Sequence, residues 1–131
     1  MNTHETYVSL ETAKLLKQVG FDWECDKIYY CYHEDNDTWD LESNNKNHLR
    51  ILKLDYCLLA PSLAIAQKWL REVKGIEVNV LCVYIKHIKK YSYDVFTNEY
   101  EHELINEGFD TYEEALEAGI QTCLSDSRAN N

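Results

Sequence analysis

Apolar residues recur at helical spacing in three stretches of this chain and alternate, or run in short blocks, between them. In residues 9–20, SLETAKLLKQVG, Leu10, Ala13, Leu16 and Val19 fall on one side; Ser9 stands where an N-cap belongs and Gly20 where a helix stops. Residues 62–75, SLAIAQKWLREVKG, follow Pro61 and repeat the design. Ser62 is the cap, Leu63, Ala66, Trp69, Leu70 and Val73 form the apolar stripe, Lys68, Arg71 and Lys74 face water, and Gly75 ends it. The third, TYEEALEAGIQTCL, opens with Thr111 and Glu114 at capping-box spacing. Its stripe is Tyr112, Ala115, Leu116, Gly119, Ile120 and Cys123, with Gly119 as a place where the helix can approach a neighbour closely.

Strand patterns fill the intervals. KIYYCYH sets Ile28, Tyr30 and Tyr32 against Tyr29, Cys31 and His33, and residues 49–59, LRILKLDYCLL, alternate less cleanly. In IEVNVLCVYIK, Val78, Val80, Cys82 and Tyr84 face one way and Leu81, Val83 and Ile85 the other, which suits a central strand covered on both sides or a dimer seam. After KHIKK, the run YSYDVFT predicts its hairpin partner, and EYEHELI predicts one more strand. The polar run from Glu34 to Asn47 predicts one long loop. The expected fold is a single α+β domain over residues 1–124, a mainly antiparallel sheet of four to five strands with three helices packed on it. Residues 125–131 form a frayed tail.

Composition supports a globular chain. At 131 residues it can bury about two-thirds of its unfolded surface without staples, and four glycines and one proline leave little room for disorder. No apolar run approaches the roughly 18 residues of a membrane span, and the N-terminus lacks the basic start and apolar stretch of a secretory signal. Cys25, Cys31, Cys57, Cys82 and Cys123 are odd in number and not closely paired, the mark of thiols in a reducing cytoplasm. The net charge of −10 is unevenly spread: residues 1–45 carry −7, residues 46–90 carry +6 and residues 91–131 carry −9. That balance argues against nonspecific nucleic-acid binding while leaving a local basic patch in the middle.

Candidate chemistry is sparse. Residues 29–39, YYCYHEDNDTW, gather aromatic, thiol, imidazole and carboxylate groups. A calcium loop counted from Asp35 fails, because its fifth, sixth and twelfth positions are Trp39, Asp40 and Lys46. A looser cation site would draw on Glu34, Asp35, Asp37 and Asp40, and His33, Asp35 and Asp37 are the weak metal candidates; zinc lacks the local ligand pairs it favours. Cys31 and His33, on one face of a strand, would suit a nucleophile pair, but no third orienting group is evident. No phosphate loop or cofactor motif occurs, and no cofactor is expected. The tyrosines are the other feature. Tyr30, Tyr32, Tyr84, Tyr91 and Tyr93 lie on predicted strands, where they serve packing or a protein interface. Flanked by Lys86, Lys89 and Lys90, Tyr84 and Tyr91 also suit a reader of single-stranded nucleic acid.

Three stretches, YVSLETAKLLKQVGFDWECD, LAPSLAIAQKWLRE and FDTYEEALEAGI, resemble small uncharacterised proteins encoded by gut Bacteroides-type bacteria, their phages and their prophages. The resemblance covers helix caps and cores and carries no site residue. It implies a small accessory protein of phage type in a bacterial cytoplasm. The expectation is therefore a non-catalytic module that contacts another protein, or itself, through a tyrosine-rich sheet face. A metal-dependent or Cys/His enzyme centred on residues 31–37 and a single-stranded nucleic-acid binder are the alternatives.

Overall fold

The computed structural model describes residues 5–33, 35, 37–44, 56–97, 103–104 and 108–125, with His33, Glu103 and Leu104 described in backbone only. The order is α1 (Leu10–Gln18), β1 (Lys27–His33), β2 (Thr38–Ser43), β3 (Cys57–Leu59), α2 (Leu63–Trp69) with a π-helical turn (Leu70–Lys74), β4 (Glu77–Ile85), β5 (Ile88–Phe96), β6 (Glu103–Leu104) and α3 (Tyr112–Ser125). The class is α+β. Instead of one sheet of four to five strands, the described residues form two antiparallel three-stranded sheets, ordered β2-β1-β3 and β4-β5-β6. They lie in two compact units, residues 1–62 and 63–131.

In the first unit α1 begins where Ser9 Oγ accepts the Thr12 N–H at 3.3 Å, satisfying one of the free donors of the first turn. Its buried side is Thr12, Ala13 and Leu16, and Val19 follows as the C-cap; Leu10 is only half-buried. In β1, Ile28 and Tyr30 point into the core, and the Tyr29 hydroxyl donates to Val8 O at 2.8 Å. Tyr7 and Ser62 form an antiparallel bridge, with Val8 N donating to Pro61 O at 3.0 Å, which ties the unit's two ends together.

Within the expected loop over residues 34–47, Thr38–Ser43 is a strand, β2; residues 34, 36 and 45–47 lie outside the described residues. β2 pairs with β1 from Lys27↔Ser43 to His33↔Thr38. Its sequence, TWDLES, hides this because the strand buries no residue fully and exposes four of its six residues. Cross-strand bonds hold it instead: the Tyr32 hydroxyl donates to Glu42 Oε1 at 2.6 Å, and Cys31 lies opposite Trp39. Of the expected strand over 49–59, Cys57–Leu59 is seen as β3 and residues 49–55 lie outside the described residues.

In the second unit α2 buries Leu63, Ala66 and Trp69 as expected, but its last turn widens to π geometry. Gly75 closes it at φ 69° with its N–H on Leu70 O, and Ile76 N reaches the same carbonyl at 3.0 Å. The widened turn rotates Val73 out of the stripe, leaving it 53% exposed. α3 starts as its capping box predicts, with Glu114 N donating to Thr111 Oγ1 and that hydroxyl donating to Glu114 Oε1, each at 3.1 Å. The helix buries Ala115, Leu116, Gly119, Ile120, Cys123 and also Leu124. Tyr112, expected on the stripe, is 44% exposed, its ring edge-on to Tyr91.

β4 and β5 pair without interruption from Glu77↔Phe96 to Ile85↔Ile88, so the connection is only Lys86 and His87, shorter than the expected KHIKK turn. β4, which the sequence suited to a central strand or a dimer seam, is not central: among the described residues it stands at the edge and pairs only with β5. On the far side of β5, β6 pairs at Asp94↔Leu104 and Val95↔Glu103, and Tyr91 bridges Phe109. Residues 126–131 of the expected tail lie outside the described residues, and Ser125 ends α3. Among the described residues no helix is long and apolar enough to cross a membrane.

Candidate functional site: the free edge and tip of the β4–β5 hairpin

The short turn fixes which backbone groups of β4 are free. Ile85 and Ile88 close a two-residue turn, so they exchange both of their hydrogen bonds. Counting back, Val83, Leu81 and Asn79 also bond to β5, while the N–H and C=O groups of Tyr84, Cys82, Val80 and Val78 point outward. Two contacts agree with this phase. Tyr91, opposite Cys82, uses its outward groups to bond Phe109 at 2.9 and 2.7 Å. Gln67 Nε2, from α2, donates to Val78 O at 2.7 Å. Gln67 thus caps the start of the edge, and the outward groups of Val80, Cys82 and Tyr84 bond to no described residue.

Nothing in the sequence of this edge repels a second strand. From Val78 to Ile85 there is no charge and no proline, two of the devices by which exposed edges are kept single. The end of the hairpin is also apolar in the open: Tyr84 is 70% exposed, Ile88 58% and Ile85 40%. Tyr84 shares a sheet face with Cys82, Lys89 and Tyr91, whereas Ile85 and Ile88 lie on the opposite face. The turn itself is unusual, because Lys86 at φ 51° and His87 at φ 69° occupy the left-handed region that glycine or asparagine would fill at less cost.

The basic residues fall in different places. Lys89 Nζ sits 5.5 Å from the Tyr91 ring centre, and its hydrogen bond to that tyrosine raises the ammonium above its ordinary value. Lys90 pairs with Asp110, holding that carboxyl below its ordinary value. Lys86 and His87 are exposed at the tip.

The five tyrosines do not form one face. Tyr30 and Tyr93 are core residues, 7% and 5% exposed. The Tyr93 hydroxyl lies 2.8 Å from Thr122 Oγ1; since Thr122 donates to Ala118 O, Tyr93 is the donor in that pair. Tyr32 is exposed, but its hydroxyl is committed to Glu42, which pushes its ionisation up to about 12. Tyr91 is half-buried, and Tyr84 is the most exposed of the five.

Of the 31–37 cluster, Cys31, Tyr32, Asp35 and Asp37 have described side chains. Asp37, at φ 49°, accepts the Trp39 indole N–H at 2.8 Å through Oδ1, and Lys14 Nζ lies 3.8 Å from Oδ2, so the carboxylate holds the β1–β2 turn. Asp35 is exposed, and the His33 side chain lies outside the described residues. The pairing register shifts between Cys31 and His33, so the strict alternation that set both on one face does not hold there. Among the described residues no three His, Cys, Asp or Glu groups gather for a metal.

Sequence reasoning missed Ile85 and Ile88 and the meaning of the uncharged run between Glu77 and Lys86. The signal was present in that run, but only the length of the turn shows which half of its backbone is free. Comparison with protein-family models, with curated proteins and with solved structures finds no match to the chain.

Proposed function

We propose that this protein is a non-catalytic binding module, an accessory protein of the kind its phage-type resemblance implies, that takes an extended segment of a partner polypeptide onto the free edge of β4. The observation that carries this is the edge itself: three consecutive outward residues, Val80, Cys82 and Tyr84, offer donors and acceptors in strand register, in a stretch without charge. Strand addition supplies affinity through main-chain bonds and specificity through alternate side chains. Tyr84, Ile85 and Ile88 add an apolar grip; covering the exposed half or so of each isoleucine is worth on the order of 1 kcal/mol. Lys86 and Lys89 beside them favour a segment with acidic flanks.

A nucleic-acid ligand fits less well. Stacking would use Tyr84 but has no role for Ile85 and Ile88, and the −10 charge opposes it.

The test uses the Cys82→Pro variant. Cys82 N–H points away from β5, so proline removes a donor only from the free edge. Extended peptides selected from a random library on the wild-type protein are expected to alternate apolar residues and to bind Cys82→Pro at least tenfold more weakly. The variant's fold is checked by circular dichroism, and Glu113→Gln, on the exposed side of α3, is expected to bind normally. Equal binding to Cys82→Pro overturns the edge. A dimer without peptide, abolished by the same substitution, would make a second copy the occupant instead.

A further inference from the structure

The two ends of the β4 edge differ. At Val78 it is closed by Gln67, whose Nε2 holds the outward carbonyl at 2.7 Å. At Ile85 it runs into the tip, where Lys86 and His87 are exposed. An added segment therefore lies opposite Asn79 to Ile85, with one end among cations and the other beside a neutral amide.

The two faces of the edge differ as well. Leu81, Val83 and Ile85 make an uncharged row on one face, continued across the turn by Ile88 and ended by Asn79, whose amide donates to Asp94 Oδ1 at 3.2 Å. On the other face Cys82 and Tyr84 are exposed, and the Lys89 ammonium lies over the Tyr91 ring. Side chains of an added strand alternate between the faces, so every second one meets apolar carbon. The cations of the second face gather at the tip: Lys86 follows Tyr84 by two residues and Lys89 lies opposite it. Neither has a carboxylate partner among the described residues, whereas Lys90 pairs with Asp110, Lys68 with Glu72 and Arg71 with Glu77. Val80, at the far end of that face, stands about 13 Å along the strand from Tyr84, beyond the screening length of about 8 Å at physiological salt.

Direction follows from bonding. β4 already has the backbone of an antiparallel strand. An antiparallel partner lets each of Val80, Cys82 and Tyr84 exchange both of its bonds with one residue, while parallel pairing slants the bonds and is slightly weaker per residue. The N-terminal end of an antiparallel segment lies at the tip.

We propose that the β4 edge takes a segment antiparallel to β4 with an acidic residue near its N-terminal end, beside Tyr84, and apolar residues at the alternate positions beside Ile85, Val83 and Leu81. The edge then reads the order of residues in its partner and not only their kind. This rests on the strand-addition reading of the edge and adds a direction and a sequence to it.

Two blocked peptides of one composition test the order: Ile-Glu-Ile-Thr-Ile-Thr-Ile and its reverse, each between Gly-Ser ends. Bound antiparallel, the first sets Glu beside Tyr84 and the reverse sets it beside Val80. The first is expected to bind about threefold to fivefold more tightly at physiological salt, the effect of one acid meeting two exposed cations. Lys86→Gln with Lys89→Gln is expected to erase that preference. A nitroxide at the N-terminal end of the first peptide is expected to broaden the amide signals of Lys86 and His87 and to spare Gln67. Cys82→Pro keeps the outcomes apart. Equal binding of the two peptides that is lost in Cys82→Pro, or broadening at Gln67 instead of the tip, overturns the proposal while the edge stands. Binding that Cys82→Pro leaves unchanged, or no binding of either peptide at millimolar concentration, overturns the edge reading and the proposal together.

Discussion

Gly119 of α3 lies so close to Val78 of β4 that a Cβ placed on it would stand 2.6 Å from Val78 Cγ1 and 3.0 Å from Tyr93 Cδ1. Neither neighbour can retreat easily. Val78 is fully buried and stiff at χ1, and the Tyr93 ring is held by its hydroxyl on Thr122. Alanine at 119 would gain about 1 kcal/mol of helix propensity but would incur an overpacking cost of about 1–3 kcal/mol. Gly119→Ala is expected to destabilise by about 1–2 kcal/mol, read as a lower urea midpoint with an unchanged slope.

The Lys86–His87 turn points the other way. Both residues hold a left-handed backbone that costs an L-residue about 1–2 kcal/mol. The double substitution Lys86→Asn with His87→Gly supplies the residue types such a turn favours, and is expected to stabilise the chain by about 1–2 kcal/mol in a thermal melt. Loss of stability instead would mean that the present side chains contribute contacts beyond the turn.

Alkaline pH should weaken the fold. Burial pushes the Cys25 thiol from 9.0 up to about 11, and the hydrogen bond to Asp26 pushes the Tyr7 hydroxyl from 10.0 to about 12. An acid whose proton is held more tightly in the folded chain stabilises the fold below its ordinary value, and that contribution disappears as pH climbs through the folded one. Urea midpoints are expected to be flat up to pH 9 on these groups' account, to fall between pH 9 and 11, and to fall further towards 12. Cys25→Ala should remove the first part of the decline.

The start of α3 rests on one hydroxyl. Thr111→Ala removes both the bond to Glu114 N and the bond to its carboxylate, and is expected to cost about 1 kcal/mol. Thr111→Ser should retain most of it.

Caps and apolar stripes were legible because they are local: Ser9, Thr111 and Gly75 mark helix ends by their own chemistry. β2 was not, because TWDLES gains its place from Tyr32 and Cys31 on another strand, and period-2 burial is absent where a strand is solvated on both faces. Val73 was misplaced because a π turn breaks the 3.6-residue count after Trp69. β4 was legible as a strand, but the sequence left its place open between the centre of a sheet and a dimer seam, since an uncharged strand looks the same whether it has two neighbours or one. Of the site, the sequence marked Tyr84, Lys86 and Lys89.

The phase of β4 also sets how fast its amides trade hydrogen with solvent. The N–H groups of Asn79, Leu81, Val83 and Ile85 are held by β5 and should exchange only when the hairpin opens, while those of Val80, Cys82 and Tyr84 have no such lock. In deuterated water the strand should therefore read as a comb, slow and fast at alternate residues. An added strand would close the gaps, and the comb would flatten into a uniformly protected segment.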